Sequence, residues 1–380
     1  MTKLGFGCLR LPTVDEISGE VDTKQFCQMV DLFMAAGFNY FDTAHTYLNG
    51  ESERAIRECL VERYPRESFL LANKLTTPLF KSEEDIRPLF QTQLSACGVE
   101  YFDYYLMHGL SERLYERFVS CSAFDVVKQL KAENKIRHLG ISFHDKPAVL
   151  DRILEEHPEI EAVQIQLNYT DYDDPIVESG AVYEVCRRFD KPVLIMEPVR
   201  GGSLAQNLPE EALKILSDLR GGSPASYALR YAAAFDGVFM VLSGMSSVEQ
   251  AEDNIRCMRD FRPLTEQELA AVDQVREILK RQDLIACTAC RYCVEGCPEQ
   301  ILIPRLFACL NAKKKFQDLD NYGSYVHYTA KYGKASDCIG CGQCEQVCPQ
   351  HLPVVAILKE VAEVYDRQGG ASAVLANQER

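Results

Sequence analysis

Positive charge is scarce in this chain of 380 residues. Lys and Arg number 41 against 56 Asp and Glu, a net charge of −15. That balance argues against a nucleic-acid partner, because phosphate contacts want a basic face. It suits solubility and docking to a basic protein. Long apolar runs are missing too, so no segment is built to span a bilayer. The opening Met1-Thr2-Lys3-Leu4-Gly5 has no charged-then-apolar signal segment, and a cytoplasmic location is the expectation. No G-x-G-x-x-G follows the first strand-like run, which weakens an open doubly wound dinucleotide sheet.

What is present is a long alternation of strand-like and helix-like stretches. The hydrophobic fraction is 47%, enough for a sizeable core. Strands are expected at 4–9, 39–42, 68–74, 102–108, 138–142, 162–166, 193–196 and 238–243. Most are continuous apolar runs, as parallel strands covered on both faces require. Helices lie between them. After Asp22, the residues Phe26, Met29, Val30 and Phe33 share one face, and Asp22 with Gln25 fits a capping box. Thr265 and Glu268 fit another, followed by a stripe of Leu269, Val272, Val275 and Leu279 expected to seal the barrel. Eight such units predict an α/β fold, a (β/α)8 TIM barrel, with the open doubly wound sheet as runner-up. The expected division is a barrel over 1–283, a small domain over 284–368 and a frayed tail over 369–380.

Eight of the 16 cysteines fall in two runs of identical spacing. Cys287, Cys290, Cys293 and Cys297 precede Pro298; Cys338, Cys341, Cys344 and Cys348 precede Pro349. Each run reads C-x2-C-x2-C-x3-C-P, which holds iron–sulfur clusters in bacterial two-cluster ferredoxins. A cubane needs four soft thiolates around a compact centre. Three cysteines wrap one cluster and the fourth, before Pro, completes the other. The expected sets are Cys287, Cys290, Cys293 with Cys348, and Cys338, Cys341, Cys344 with Cys297. Structural zinc is the alternative, but it needs only four ligands and leaves the third and fourth cysteines of each run unexplained. Helical segments are expected at 304–316 and 324–332 between the runs, and at 354–366 after them. The other eight cysteines sit in apolar stretches and read as buried thiols rather than a disulfide framework.

Chemistry also gathers at the ends of successive expected strands. Asp42-Thr43-Ala44-His45-Thr46-Tyr47 follows the second, Lys74 ends the third and His108 ends the fourth. A barrel puts all of these on its C-terminal face. A tyrosine can give a proton to a developing alkoxide when a lysine ammonium stands beside it, and an aspartate can hold that lysine. A histidine can orient the carbonyl oxygen. Singly, each has a plain structural reading: a hydrogen-bonded His, a snorkelling Lys, a packing Tyr. Four such types at three strand ends are a much rarer coincidence.

On these residues, with Gly140-Ile141-Ser142, Gln164 and the segment 243–254, the chain resembles the aldo/keto reductase family. The cysteine-rich extension resembles that of bacterial members carrying a ferredoxin-type domain. The resemblance implies catalysis by Asp42, Tyr47, Lys74 and His108, with Tyr47 as general acid, on a small-molecule carbonyl or alcohol. It implies NAD(P)H across the barrel mouth, with Ser142 and Gln164 on the nicotinamide carboxamide and Asn254 near the adenine end. Ser243, Gly244, Ser246 and Gln250 fall in the implied cofactor segment, where a helix start offers backbone amides to an anion. Arg200-Gly201-Gly202 either wraps the pyrophosphate or is an ordinary Gly-rich loop. The chain departs from the family in three places. Phe143 follows Ser142 where many members have an amide. Met196 and Glu197 fall where an aromatic usually stacks on the nicotinamide. Segment 243–254 has acidic Glu249 and Asp253 but no Lys or Arg, leaving NADPH against NADH open.

Two functions follow. One is an NAD(P)H-dependent oxidoreductase that also carries two [4Fe-4S] clusters and meets a redox partner protein. The other is an iron–sulfur electron carrier or docking protein whose barrel is a scaffold or binds another small molecule. Hydride brings two electrons and a cluster takes one, so a coupled pathway needs either a flavin partner to split the pair or a substrate that itself accepts single electrons.

Overall fold

The computed structural model describes residues 2–14, 19–77, 79–206, 208–315 and 322–366. The chain divides into two compact units, Met1–Leu279 and Lys280–Arg380. In the first, eight strands form one closed parallel barrel in sequence order. They are β1 Leu4–Gly7, β2 Tyr40–Asp42, β3 Leu70–Leu75, β4 Phe102–Leu110, β5 Ile136–Phe143, β6 Ala162–Gln166, β7 Val193–Met196 and β8 Val238–Ser243. β8 returns to pair with β1 through Leu4 and Val241, Gly5 and Leu242, and Phe6 and Ser243. The open sheet is thereby ruled out.

Alternation along each strand sorts the side chains into two sets. Phe41, Leu71, Val163, Val193, Ile195 and Val241 join the large cluster shared with the surrounding helices. Tyr40, Ala72, Ala162, Leu194, Met240 and Leu242 form a separate cluster inside the barrel. Two residues further along each strand, the inward position passes to Asp42, Lys74, Gln164, Met196 and Gly244. His108 and Ser142 occupy the same phase two residues beyond Leu106 and Gly140. Gly140 leaves room there for Leu106, whose Cδ2 would lie 2.4 Å from any added Cβ. The period of two therefore delivers the polar layer at the C-terminal mouth.

Helix Thr23–Ala35 buries Phe26, Met29, Val30 and Phe33, and the Asp22 side chain accepts the Gln25 N–H. The second capping box is complete: Thr265 N–H donates to Glu268 Oε2 at 2.8 Å and Glu268 N–H to Thr265 Oγ1 at 3.3 Å. The stripe on helix Glu266–Lys280 differs from expectation. Val272 and Val275 are buried as expected, but Leu269 is 41% exposed, and Ala271 and Ile278 are buried beside the valines. That stripe packs on Tyr169, Leu204, Leu208 and Tyr227. A second difference is a disulfide. Cys27 and Cys59, expected as separate thiols, are bonded with Cα atoms 4.7 Å apart. Their separation of 32 residues hides the pairing from any local pattern.

The second unit is helical, with no strand among its described residues. Helices Tyr292–Glu295, Ile303–Lys315, Tyr322–Thr329, Gln343–Gln346 and Val354–Tyr365 pack around Leu306, Phe307, Leu310, Tyr325, Leu358 and Val361. Tyr365 donates to the Cys309 carbonyl at 2.9 Å and stacks on Tyr325 at 4.7 Å. The tail expected from 369 lies outside the described residues. Among the described residues no helix is long and apolar enough to cross a membrane.

Candidate active site and cluster-binding loops

β2 and β3 bring Asp42 and Lys74 together at the barrel mouth. Lys74 is fully buried and Asp42 nearly so, at 0% and 3% exposure. Burying an ammonium is costly unless every donor is met. Lys74 Nζ donates to Asp42 Oδ1 at 2.5 Å, to the Thr43 carbonyl at 2.8 Å and to the Tyr47 hydroxyl at 3.1 Å. After Tyr47 the backbone turns through left-handed Leu48 (φ 53°), Asn49 (φ 56°) and Gly50 (φ 88°). The turn lets Glu51–Ile56 start a new helix while Tyr47 stays over the ammonium, with its ring 4.6 Å from Nζ.

His108 sits above, its ring 5.9 Å from that of Tyr47 in an edge-on arrangement. Burial, then the Lys74 and His144 charges, holds its pKa well below the usual histidine value. The imidazole is neutral at neutral pH, and Nδ1 is 2.6 Å from Thr76 Oγ1. Gln164 Nε2 donates to Asp42 Oδ2 at 3.1 Å, so both carboxylate oxygens are engaged. Ser142 Oγ accepts the Gly109 N–H at 2.8 Å. All four expected catalytic side chains, with Ser142 and Gln164, therefore share one mouth.

The remaining expected residues lie on the loops after β7 and β8. Arg200 pairs with buried Asp171 at 3.1 Å. Arg200, Gly201 and Gly202 take successive positive φ values of 48°, 63° and 94°. Asn254 Nδ2 donates to Ser243 Oγ at 2.7 Å. Ser246 N–H donates to Gln250 Oε1 at 2.8 Å, while Ser247 caps helix Val248–Arg259. Gly7 and Gly244 are bare: a Cβ on Gly7 would meet the Ser243 backbone at 3.4 Å, and one on Gly244 the Arg10 side chain. Two glycines beside a loop of positive φ leave a cradle of backbone, with the polar layer below it. That suits a polyanion followed by a flat polar ring.

Several supporting residues escaped the sequence. Glu53 is fully buried, accepting from Asn73 Nδ2 at 2.8 Å and pairing with His45 Nδ1 at 2.7 Å. Asn73 Oδ1 in turn accepts the Lys74 N–H at 2.8 Å, and Gln93 Nε2 donates to the Lys74 carbonyl at 2.8 Å. The Lys74 backbone is thus clamped on both sides. One signal was available: Asn73, like Lys74 beside it, is a polar residue in a strand otherwise built from Leu and Ala. Thr76, Arg10 and Glu197 were also missed; Thr76 acts through His108 on β4, and Arg10 and Glu197 through each other, on loops far apart in sequence.

The second unit repeats its backbone. Ala289 (φ 54°) and Arg291 (φ 68°) occupy the offsets held by Gly340 (φ 69°) and Gly342 (φ 73°) in the other run. Gln300 (φ 50°) and His351 (φ 49°) match three residues past the last cysteines. Left-handed turns tilt N–H groups inward, and Ala289 N–H reaches Cys287 Sγ at 3.4 Å. Cys287, Cys290, Cys293 and Cys348 line one cavity, walled by Ile303, Pro304 and Phe307. Among the described residues, no three His, Cys, Asp or Glu side chains close on a single ion-sized point. The Cys293 thiol is pushed far up by burial, then by Cys290, Cys287 and Cys348. Burial also raises Cys348, against the N–H groups of Leu352, Gln350 and His351, and pushes Cys344 up to about 11. Crowded thiols of this kind become thiolates only around a multiply charged cation. The donor set and the inward-tilted amides fit a cubane cluster.

The chain belongs to the aldo/keto reductase family, whose model matches residues 3–277. It is an oxidoreductase of that type, and a 4Fe-4S dicluster domain model matches residues 286–352. An NADH-specific methylglyoxal reductase of Escherichia coli is 23% identical over 300 residues, covering 68% of this chain and 90% of that protein. The holo form of an aldo-keto reductase from Bacillus halodurans superposes with a TM-score of 0.59 at 25% identity, covering 72% of this chain and 91% of that one. An aldo-keto reductase from Klebsiella pneumoniae, solved with NADPH, gives a TM-score of 0.58 at 19% identity, covering 72% and 90%.

Proposed function

We propose that the barrel exchanges hydride between a nicotinamide dinucleotide and a small carbonyl compound, with Tyr47 as the proton donor. The observation that carries this reading is the Lys74 ammonium, fully buried yet shared between Asp42 and the Tyr47 hydroxyl. When bound, the nicotinamide supplies or takes up the hydride. Tyr47 gives its proton to the alkoxide that forms as the carbonyl is reduced. Lys74 stabilises the phenolate left behind, and Asp42 with Gln164 keeps the ammonium aimed at it. Neutral His108 orients the carbonyl oxygen: if Thr76 donates to Nδ1, the proton on Nε2 points outward. Ser142 takes the carboxamide of the cofactor ring, and Arg200, Gly201, Ser246 and Gln250 the phosphate end.

Segment 243–254 favours NADH. It offers acidic Glu249 and Asp253, and the nearest following cation, Arg256, is already paired with Asp253. A 2′-phosphate finds no partner in that segment. The NADH-specific relative of Escherichia coli is in keeping with this.

The second module is proposed to run from about residue 284, after the last barrel helix. Cys287, Cys290, Cys293 and Cys348 would hold one cluster, and Cys338, Cys341, Cys344 and Cys297 the other. Bound clusters supply one-electron chemistry, so this module serves a redox partner protein rather than the hydride step directly. The test is carbonyl-dependent oxidation of NADH by anaerobically prepared protein. Tyr47→Phe is expected to lower kcat by roughly 10²–10⁴ with dinucleotide binding kept. Unchanged turnover removes Tyr47 as the acid. A wild-type protein that binds neither NADH nor NADPH, yet reduces its clusters normally, is an electron carrier with a scaffold barrel.

A further inference from the structure

The segment that would meet the cofactor phosphates is short of cations, but the structure brings one to it from far away in sequence. Arg10 follows β1, and its stem crosses Gly244 after β8. A Cβ on Gly244 would lie 3.4, 3.7 and 3.6 Å from Arg10 Cβ, Cγ and Cδ. Ser246 Oγ donates to the Arg10 carbonyl at 2.8 Å and fixes the backbone there. The guanidinium then reaches across to the loop after β7, where Nη2 donates to Glu197 Oε1 at 2.9 Å.

Glu197 is an unusual anchor. Its φ is 54°, in the left-handed region, and its carbonyl accepts from Asn168 Nδ2 at 3.1 Å and from Arg200 N–H at 3.0 Å. Among the described residues its Oε2 is buried without a hydrogen-bond partner. The side chains are 25% and 12% exposed, so the pair is shielded but open on one side. A carboxylate satisfied through one oxygen holds its cation less firmly than a forked pair does. The guanidinium is thus stationed between the glycine at the end of β8 and the Arg200-Gly201-Gly202 turn.

Resting on the dinucleotide reading above, we propose that Arg10 is the cation for the diphosphate bridge shared by NADH and NADPH. Glu197 is an internal anion that positions the guanidinium and yields it when the diphosphate arrives. Geometry favours the bridge over a 2′-phosphate. Arg10 lies over inward-facing Gly244, next to β1 and β2, whereas the helix that would flank a 2′-phosphate carries its cations, Arg256 and Arg259, only in its last turn, and Arg256 is paired with Asp253. A planar guanidinium suits this exchange because carboxylate and phosphate present similar paired oxygens.

The two partners give opposite signs in one experiment. Dissociation constants for NADH and NADPH are measured by titration calorimetry on cluster-loaded wild type, Arg10→Met and Glu197→Gln. Cluster absorbance and the urea midpoint serve as folding checks. Arg10→Met keeps the stem over Gly244 and is expected to weaken both nucleotides by about tenfold or more, the loss of a charge-assisted bond. It should also flatten the salt dependence. Glu197→Gln removes the competing carboxylate and is expected to tighten both nucleotides several-fold. Arg10→Lys should restore part of the loss. Weakening by both variants means a structural strap and overturns the proposal. So does an effect of Arg10→Met on NADPH alone, which would place the cation at the 2′-phosphate. Unchanged binding in Arg10→Met overturns this assignment and leaves the dinucleotide reading intact. A wild type that binds neither nucleotide overturns both.

Discussion

The barrel mouth and the cysteine loops solve opposite problems of charge. At the mouth the charges cancel within the protein: Lys74 has Asp42, Asp42 has Gln164, and Glu53 has His45 and Asn73. In the loops the polar groups share one sign. Four thiols face one cavity, and burial and then the neighbouring thiols make Cys293 harder to ionise. The first site is therefore organised before any ligand arrives. The second requires a cation to become a site at all. One chain holds both because its two units keep separate cores.

Iron withdrawal tests this contrast most severely. Chelation under anaerobic reducing conditions is expected to unfold residues 280–366 and leave the barrel intact, since metal binding is folding free energy for a small metallo-domain. Hydrogen exchange resolved by segment reads both units in one sample. Equal loss of protection in the barrel would erase the contrast. At the mouth, Lys74→Met strands the Asp42 carboxylate and is expected to cost about 3–5 kcal/mol of barrel stability. A loss well below 1 kcal/mol in urea unfolding would mean the ammonium is not needed to neutralise Asp42.

Within the loops the comparison sharpens. Both runs adopt the same left-handed turns, but the second uses glycine and the first Ala289 and Arg291. Gly342→Ala is expected to destabilise the holo-domain by about 1–2 kcal/mol. Arg291→Gly is expected to stabilise it by a similar amount, because the left-handed penalty and the unfolded-state entropy of glycine, roughly 0.5–1 kcal/mol, enter the two changes with reversed signs. A destabilising Arg291→Gly would show that the arginine side chain, not the backbone turn, sets the balance there.

The smallest expected effect is a pH slope. Glu53 bonds His45 and raises its pKa above the ordinary 6.5, more than burial lowers it. The raised group adds stability below 6.5 and loses it as pH climbs through the folded value. His108 has the opposite sign, its depressed pKa removing stability as pH falls below 6.5. In His45→Gln, urea midpoints should fall less between neutral and alkaline pH than in wild type. A steeper fall would contradict the charged His45–Glu53 pair.

The strands could be read from sequence because burial on both faces leaves continuous apolar runs; β6, β7 and β8 end where expected. β4 and β5 ran longer. β4 continues through a register shift between Met107 and Leu110 at Gly109, whose φ of 68° no apolar pattern reveals. Asp42, Lys74 and His108 were legible because a strand end in a barrel has one destination. Glu53, Gln93 and Arg10 were not, because each acts through a partner on another element. Glu197 shows this most plainly. Its misfit with the family pattern was visible, but what it holds was not, until β1 and β7 closed on the same mouth.

The cavity bounded by Cys287, Cys290, Cys293 and Cys348 has one further consequence, in the order of synthesis. Its four thiols come from the two ends of a stretch that follows the barrel in the chain. On the proposed ligand set, three thiols wait without their fourth until Cys348 has been made. Iron could then close that site only after the barrel sequence has been synthesised, so the supply of metal would set when this module folds.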